Sequence, residues 1–503
     1  MRQFAVILAI LLAATAARGE LNLTTNDAWQ DIIQATNSVA INLAPGTYAV
    51  AGQLIFGWTN ANITLTGNYD TRDGYGVTSN GQAEVVMTGG GTSRVIYVHG
   101  GATNITIRGV TITGGHTVPS DLAAGYGAGI GAGIDAQFAG LYLLDRCNVV
   151  SNTSTTAAAG AHNGNLVNST IGYNISSNST GGAWVCTVSN CVVVGNSAVG
   201  AGVDVGGLHT CTVYDSIIKG NTAQDDYGAA YKTYFHGCTI VSNASGDDHV
   251  VYGGGMEDCI VEYNTAGDLC AGLGGASASN TIFRFNSARQ AGAMYSVDGW
   301  GLTVQSNVAS TANGAASGGT FYYSLFQGNC TTSSASTGGG AGGVGDVVFN
   351  AYSCVFDGNY VTRAGYPQAI NDANDIRNCT FVNHTTNGAV VTGWKTTSMV
   401  YNCIFYNNTS NYIADTTNTS NNITADDPLF LESETNYLLS AESPAVDAGD
   451  DALTHAGTDF YGRNRTQGLA VDIGAVEYQS GDTPPAEAVT NKKKILMMML
   501  GGH

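Results

Sequence analysis

The sequence predicts an all-β chain folded as a right-handed parallel β-helix, a solenoid, with a short N-terminal capping helix. Three observations predict it. One phrase recurs: a small residue, two apolar residues, two variable ones, then Asn. It appears as Cys147-Asn-Val-Val-Ser-Asn152 and Cys191-Val-Val-Val-Gly-Asn196, and returns until Cys403-Ile-Phe-Tyr-Asn-Asn408. Its last position steps by 22, 22, 25, 22, 21, 22, 21, 22, 30, 25 and 24 residues, the period of a stacked repeat. The composition agrees, with 68 Gly and 7 Pro in 503 residues and only 11% charged. The copies are β-branched and Gly-punctuated, where helical repeats would show a 3.6-residue pattern.

Each stretch of the chain then takes a place. Residues 1–19 read as a signal peptide, with Arg2 before an apolar run from Phe4 to Ala14 and small residues after it. Residues 20–424 read as the β-helix. Within it, 25–36 form the amphipathic capping helix, with Trp29, Ile32 and Ile33 inward. Ile63-Thr-Leu65, Val85-Val-Met87, Val95-Ile-Tyr97, Ile105-Thr-Ile107 and Val110-Thr-Ile112 read as the first coils, and regular repeats follow over about 147–410. Successive coils are expected about 4.8 Å apart in parallel register, so that equivalent residues form columns. The phrase Asn is expected in a left-handed turn with its amides stacked, and the Gly clusters at tight bends. Residues 425–478 form a separate C-terminal module, and 479–503 a disordered tail.

Lys and Arg number 18 against 38 Asp and Glu, a net charge of −20. That excludes nucleic acid, which needs clustered cations, and suits an extracellular surface or a divalent-cation binder. No segment after the leader has 18 consecutive apolar residues, so no transmembrane helix is expected in the mature chain. Seven of the 11 Cys (147, 191, 238, 259, 354, 379 and 403) open the phrase, which predicts a buried column of small residues. Cys186 and Cys211 share a Cys-Thr-Val setting on adjacent coils and are the candidate disulfide.

Acidic residues mark the candidate site. Asp225, Asp247 and Asp268 each lie four residues after a phrase Asn, and Asp226 and Asp248 follow two of them. Stacked carboxylates repel unless a cation lies between them, so Asp225, Asp247 and Asp268 are candidate calcium ligands; solvated turn aspartates are the alternative. Enzymatic candidates are Asp225, Asp226, Asp247 and Asp248 as carboxylates and Lys232 as a base, with His236 and His249 near in sequence. No cofactor-binding motif is present. Trp184, Trp300 and Trp394 are of a type that stacks on sugars or packs.

Phe283-Arg-Phe-Asn286, Phe326-Gln-Gly-Asn329, Phe356-Asp-Gly-Asn359 and Phe405-Tyr-Asn-Asn408 alternate with Gly-Gly-Ala phrases. Together they resemble the polymorphic outer-membrane protein repeats of bacterial surface adhesins. Asp427-Pro-Leu-Phe430, Ser443-Pro-Ala-Val-Asp-Ala-Gly449, Asp459-Phe-Tyr-Gly-Arg-Asn-Arg465 and Val471-Asp-Ile-Gly-Ala-Val-Glu-Tyr478 resemble the choice-of-anchor Q module of surface β-helix proteins. The resemblance implies a secreted or bacterial cell-surface protein, outer membrane-associated or extracellular, in an adhesive or glycan-binding role. Its partner would be a polysaccharide or cell-surface glycan. A polysaccharide lyase or glycoside hydrolase on a pectin lyase-like β-helix is the enzymatic alternative.

Overall fold

Four short strands and single-residue corners make one coil. The computed structural model describes residues 20–57, 60–67, 85–117, 134–136, 142–155, 158–200, 204–332, 342–363, 365–386, 388–393, 398–410, 413–414, 418–431, 436–455 and 457–482. The expected signal peptide (1–19), residues 483–503 of the expected tail, and Trp394 lie outside the described residues. The fold is an all-β parallel β-helix, and the chain divides into two compact units, 1–298 with 302–317 and 299–301 with 318–503.

One coil of the first unit shows the construction. Ala183–Trp184 and Thr187–Ser189 run along one face, Val192–Val194 along the second and Ser197–Ala198 along the third. Val185, Asn190 and Gly195 hold the corners with φ of 53°, 50° and 62°. The next coil repeats them at Thr210, Asp215 and Gly220 with φ of 52°, 46° and 62°. Pairing is parallel and in register, Val192 with Ile217 and Ala183 with Leu208. The phrase therefore marks the same corner of each coil.

The phrase Asn does not take the left-handed conformation; the residue before it does, as at Ser151, Tyr173 and Ser242. That turn sends the Asn side chain inward, where Asn152, Asn174, Asn196, Asn221, Asn243, Asn264, Asn286 and Asn307 are all fully buried. Asn221 shows the bonding. Its backbone N–H and its Nδ2 donate to Asn243 Oδ1 at 2.9 and 3.0 Å, and Nδ2 also donates to Val193 O at 2.9 Å. The amide stack is as expected, and it supplies an acceptor for a corner N–H that no strand ladder reaches.

The Cys column follows the same rule. Cys147 N–H donates to Ser169 Oγ, Ser169 N–H to Cys191 Sγ and Cys191 N–H to Ser216 Oγ, at 3.1, 3.3 and 3.0 Å. A small side chain with a lone pair fits there, hence Cys, Ser and Thr. The Gly clusters follow expectation in part: Gly253 and Gly254 take left-handed φ of 69° and 83°, while others do not. Gly182 and Gly207 have no left-handed φ; a Cβ on either would lie 2.3 or 2.4 Å from the carbonyl oxygen of the next coil. These glycines allow close stacking, not bends.

At the N-terminus, strand Glu20–Leu23 pairs in parallel with Ala40–Leu43. The expected helix is shorter than predicted, Trp29–Ala35, and buries Trp29, Ile32 and Ile33. Its glutamines bond the edge of strand Leu54–Phe56 and the turn before it. Gln30 Nε2 donates to Gln53 O at 2.9 Å, and Gln34 Oε1 accepts from Ile55 N–H at 2.8 Å.

In the second unit, the interior position of the phrase is Phe. Phe326, Phe356, Phe381 and Phe405 stack at 5.1, 4.5 and 4.8 Å between successive centroids. Residues 436–478 fold against the outer side of these same phrase strands. Val355 and Val382 pack with Tyr437, Leu438, Ala475 and Val476, while Ile404 packs with Ile423, Leu439, Ala445 and Ile473. The tail motifs supply the polar part of this packing. Arg465 is 1% exposed and donates to Ser353 Oγ, Gly474 O and Ala475 O at 2.9, 3.0 and 2.9 Å. Asp459 accepts from the N–H groups of Tyr461, Arg463 and Glu477. Gly474 holds a φ of 101°, which a residue with a Cβ takes only under strain.

Candidate functional site

The first corner of each coil places one side chain outward just before it. In successive coils of the first unit these are His162, Trp184, His209, Tyr231, Tyr252, Gly274 and Tyr295, paired in register. Trp184, His209, Tyr231, Tyr252 and Tyr295 are half-buried. His162 and Trp184 lie 5.0 Å apart, Trp184 and His209 5.2 Å, His209 and Tyr231 5.2 Å, and Tyr231 and Tyr252 6.2 Å between centroids. Tyr227 leans across the row, stacked on Tyr231 at 4.6 Å and on Tyr252 at 5.7 Å. At Gly274 the row lacks a side chain, and the His249 ring fills the space: a Cβ there would lie 2.2 Å from His249 Cδ2. Neighbouring rings are stacked at Trp184–His209 and Tyr231–Tyr252 and tilted or edge-on at His162–Trp184 and His209–Tyr231, so the row carries half-buried phenol, imidazole and indole groups at about the coil spacing.

Acidic turns form one margin of the row. Asp204 is fully buried, and neither of its carboxylate oxygens has a hydrogen-bond partner. Its N–H donates to Asp226 Oδ2 at 3.3 Å. Burial first, then the charges of Asp226 and Asp225, push the Asp204 carboxyl up to about 6. Burial and Asp248 also raise Asp226, and burial with Asp248 and Asp226 raises the Tyr227 phenol. Asp248 Oδ1 lies 2.5 Å from His249 Nδ1, and His249 is 2% exposed.

Lys232 stands on the other side. It occupies the left-handed corner directly after Tyr231, with φ 49°, and its Nζ lies 4.9 Å from the Tyr231 ring centroid. His209 is pushed down to about 4 by burial and by the Lys232 charge, so it is a neutral donor–acceptor near pH 7.

The structure thus brings Asp225, Asp226, Asp247, Asp248 and Lys232 to the margins of one row. Backbone bonds stack the acidic turns: Asp225 O accepts from Asp247 N–H at 2.8 Å, and Asp247 O from Asp268 N–H at 2.5 Å. Asp268 is drawn elsewhere, since its carboxylate pairs with Arg289 at 2.5 Å and accepts from Gln290 Nε2 at 2.9 Å. Among the described residues no three His, Cys, Asp or Glu side chains converge to hold a metal ion, so Asp225, Asp247 and Asp268 do not form a ready three-carboxylate site.

All 11 cysteines are free thiols, Cys186 and Cys211 included. In place of the expected bridge, Cys186 N–H donates to Cys211 Sγ at 3.4 Å. In-register neighbours in a parallel sheet point the same way, which is poor disulfide geometry. Burial pushes the Cys147, Cys191 and Cys211 thiols up to about 12, so they are poor nucleophiles.

The sequence reading passed over Asp204, His209, Tyr227, Tyr231 and Tyr252. Most of them carried a signal: each member of the row lies 12 residues before a phrase Asn. Asp204 had none, because its turn is longer than the next one and shifts its offset from the phrase.

No family model matches the chain, and no curated protein matches it. Solved structures with some likeness include a pectate lyase, 12% identical, spanning 92% of this chain and 96% of that one with a TM-score of 0.22. A surface adhesin of Streptococcus pneumoniae is 10% identical over 66% of this chain and 86% of that one, TM-score 0.27. A tailspike protein of E. coli bacteriophage HK620 is 12% identical over 82% and 75%, TM-score 0.34. Among the described residues no helix is long and apolar enough to cross a membrane.

Proposed function

We propose that this is a secreted or bacterial cell-surface β-helix protein that binds a polysaccharide along the aromatic row of its first unit, in an adhesive role. One observation carries the reading: Trp184, His209, Tyr231 and Tyr252 stand half-buried in a register set by the coils. A chain of sugars lying along the coil axis meets one ring at each coil, and repeated apolar ring surface beside polar atoms suits a glycan. The leader-like residues 1–19, the Phe-x-x-Asn copies and the tail motifs support the extracellular and surface parts of the reading.

A lyase or glycoside hydrolase is the second reading. Lys232 and the carboxylates of Asp226 and Asp248 favour it, since they flank the row from opposite sides as a base and acids could.

The test is affinity electrophoresis of the purified chain against neutral and acidic polysaccharides, with unsaturated products and reducing ends followed in parallel. Trp184→Ala and Tyr231→Ala are each expected to weaken retardation at least tenfold. Retardation by no polysaccharide, or retardation indifferent to both changes, removes the binding reading. Products that vanish in Lys232→Ala replace it with the enzymatic one.

A further inference from the structure

We propose that Asp204 and Asp226 hold a divalent cation of the calcium class at the acidic margin of the aromatic row. This rests on the row being a glycan-binding strip and names its regulation: the cation would convert a repelling margin into one that accepts carboxylate-bearing sugars.

Two independent observations meet here. The first is the cluster itself, with the turns of Asp225, Asp226, Asp247 and Asp248 stacked on adjacent coils. The second is Asp204, 0% exposed, with both carboxylate oxygens unpartnered beside that cluster. The Asp226 carboxylate lies over the Asp204 backbone, so the two acids are close neighbours. Among the described residues no Lys or Arg pairs with either. A fully buried carboxylate beside a half-buried one is costly unless a proton or a cation is shared between them.

The donor set also selects the ion. Both side chains are hard oxygen ligands, and no third acidic, His or Cys side chain converges with them among the described residues. Backbone carbonyls and water must complete the shell. Calcium accepts six to eight such oxygens in flexible geometry, whereas zinc requires nitrogen or sulfur ligands in a tight tetrahedron.

The experiment is calorimetric titration of the purified full chain with calcium chloride, using the wild type, Asp204→Asn, Asp226→Asn and Asp268→Asn. The expected result is saturable binding that weakens at least tenfold in the first two variants and holds in the third, whose carboxylate Arg289 already occupies. A calcium-dependent rise in melting temperature, lost in Asp204→Asn, accompanies it. Asp204→Asn removes an unpartnered charge, so without calcium it is expected to melt no lower than the wild type. Absence of saturable binding, or binding that both variants retain, overturns the proposal. Polysaccharide retardation in a chelator separates the two ideas. If calcium does not bind while row-dependent retardation persists, the cation falls and the glycan strip stands; calcium uptake without any retardation reverses that outcome.

Discussion

The phrase strands of both units bury their second apolar position, mostly Val or Ile in the first and Phe in the second, and differ on the outer face. In the first unit the outward first apolar position is mostly at the surface, half-buried at Val192 and 39% exposed at Ile217, although Ile260 is buried. In the second unit the same position is buried at Val355 and Ile404, because residues 436–478 lie on it. The phrase therefore specifies a coil without specifying what faces its outside. Cover is encoded separately, in tail motifs whose charged residues are buried ties, as Arg465 and Asp459 show. The difference also divides the roles: the unit with bare coils carries the aromatic row, and the unit with covered coils carries the packing.

The comparison can be broken most sharply at Arg465. Arg465→Ala removes four hydrogen bonds and leaves Glu477 buried without its cation, so the second unit is expected to lose about 3–5 kcal/mol. Hydrogen exchange should show this loss in residues 342–478 and leave 158–298 unchanged; equal loss in both means that the cover also supports the first unit. Next comes Asn221→Ala, which removes the bonds to Asn243 and Val193 and orphans the Asn196 N–H. A loss of about 3 kcal/mol is expected, this time confined to the first unit. Urea unfolding followed by the same exchange measurement checks it.

pH sharpens the contrast. In the second unit His384 stands where the phrase has Asn, accepted by Asn408 Oδ1 at 2.9 Å, and burial pushes it down to about 4. Its folded value lies below the unfolded 6.5, so the stability it contributes is present above pH 6.5 and lost as pH falls toward 4, roughly 3 kcal/mol in all. Asp204 in the first unit has the opposite sign: raised to about 6, it withdraws stability as pH rises from 3.8 through 6. Melting curves from pH 4 to 7 should show the second unit gaining where the first loses, and His384→Asn should flatten the gain. The smallest effect is at the outer face. Val355→Thr is expected to cost about 1–2 kcal/mol and Ile217→Thr under about 0.5, by urea midpoints. Equal costs would mean that the first unit's face is covered too.

Much of this was legible in the sequence. Phrase spacing alone located the coils, the inward Cys column and the stacked asparagines, because a repeating backbone forces equivalent residues into line. What escaped reading depended on side-chain direction or on contacts between distant segments. The left-handed residue precedes the phrase Asn because the amide must turn inward to meet an unladdered N–H. Asp268 looked equivalent to Asp225 and Asp247 until Arg289, one coil on, claimed it. The tail motifs gave no sign of where they pack, and Ser353 and Thr380, some 100 residues earlier, receive their contacts.

The bonding at the phrase corner has a direction. Each inward N–H from Asn152 to Asn286 is accepted by the asparagine that comes later in the chain, never by the one before. A newly made winding accordingly keeps one corner amide unsatisfied in its interior until its successor arrives. Trimming windings from the back opens a fresh defect in this column at every cut, whereas trimming from the front leaves each remaining corner N–H its acceptor.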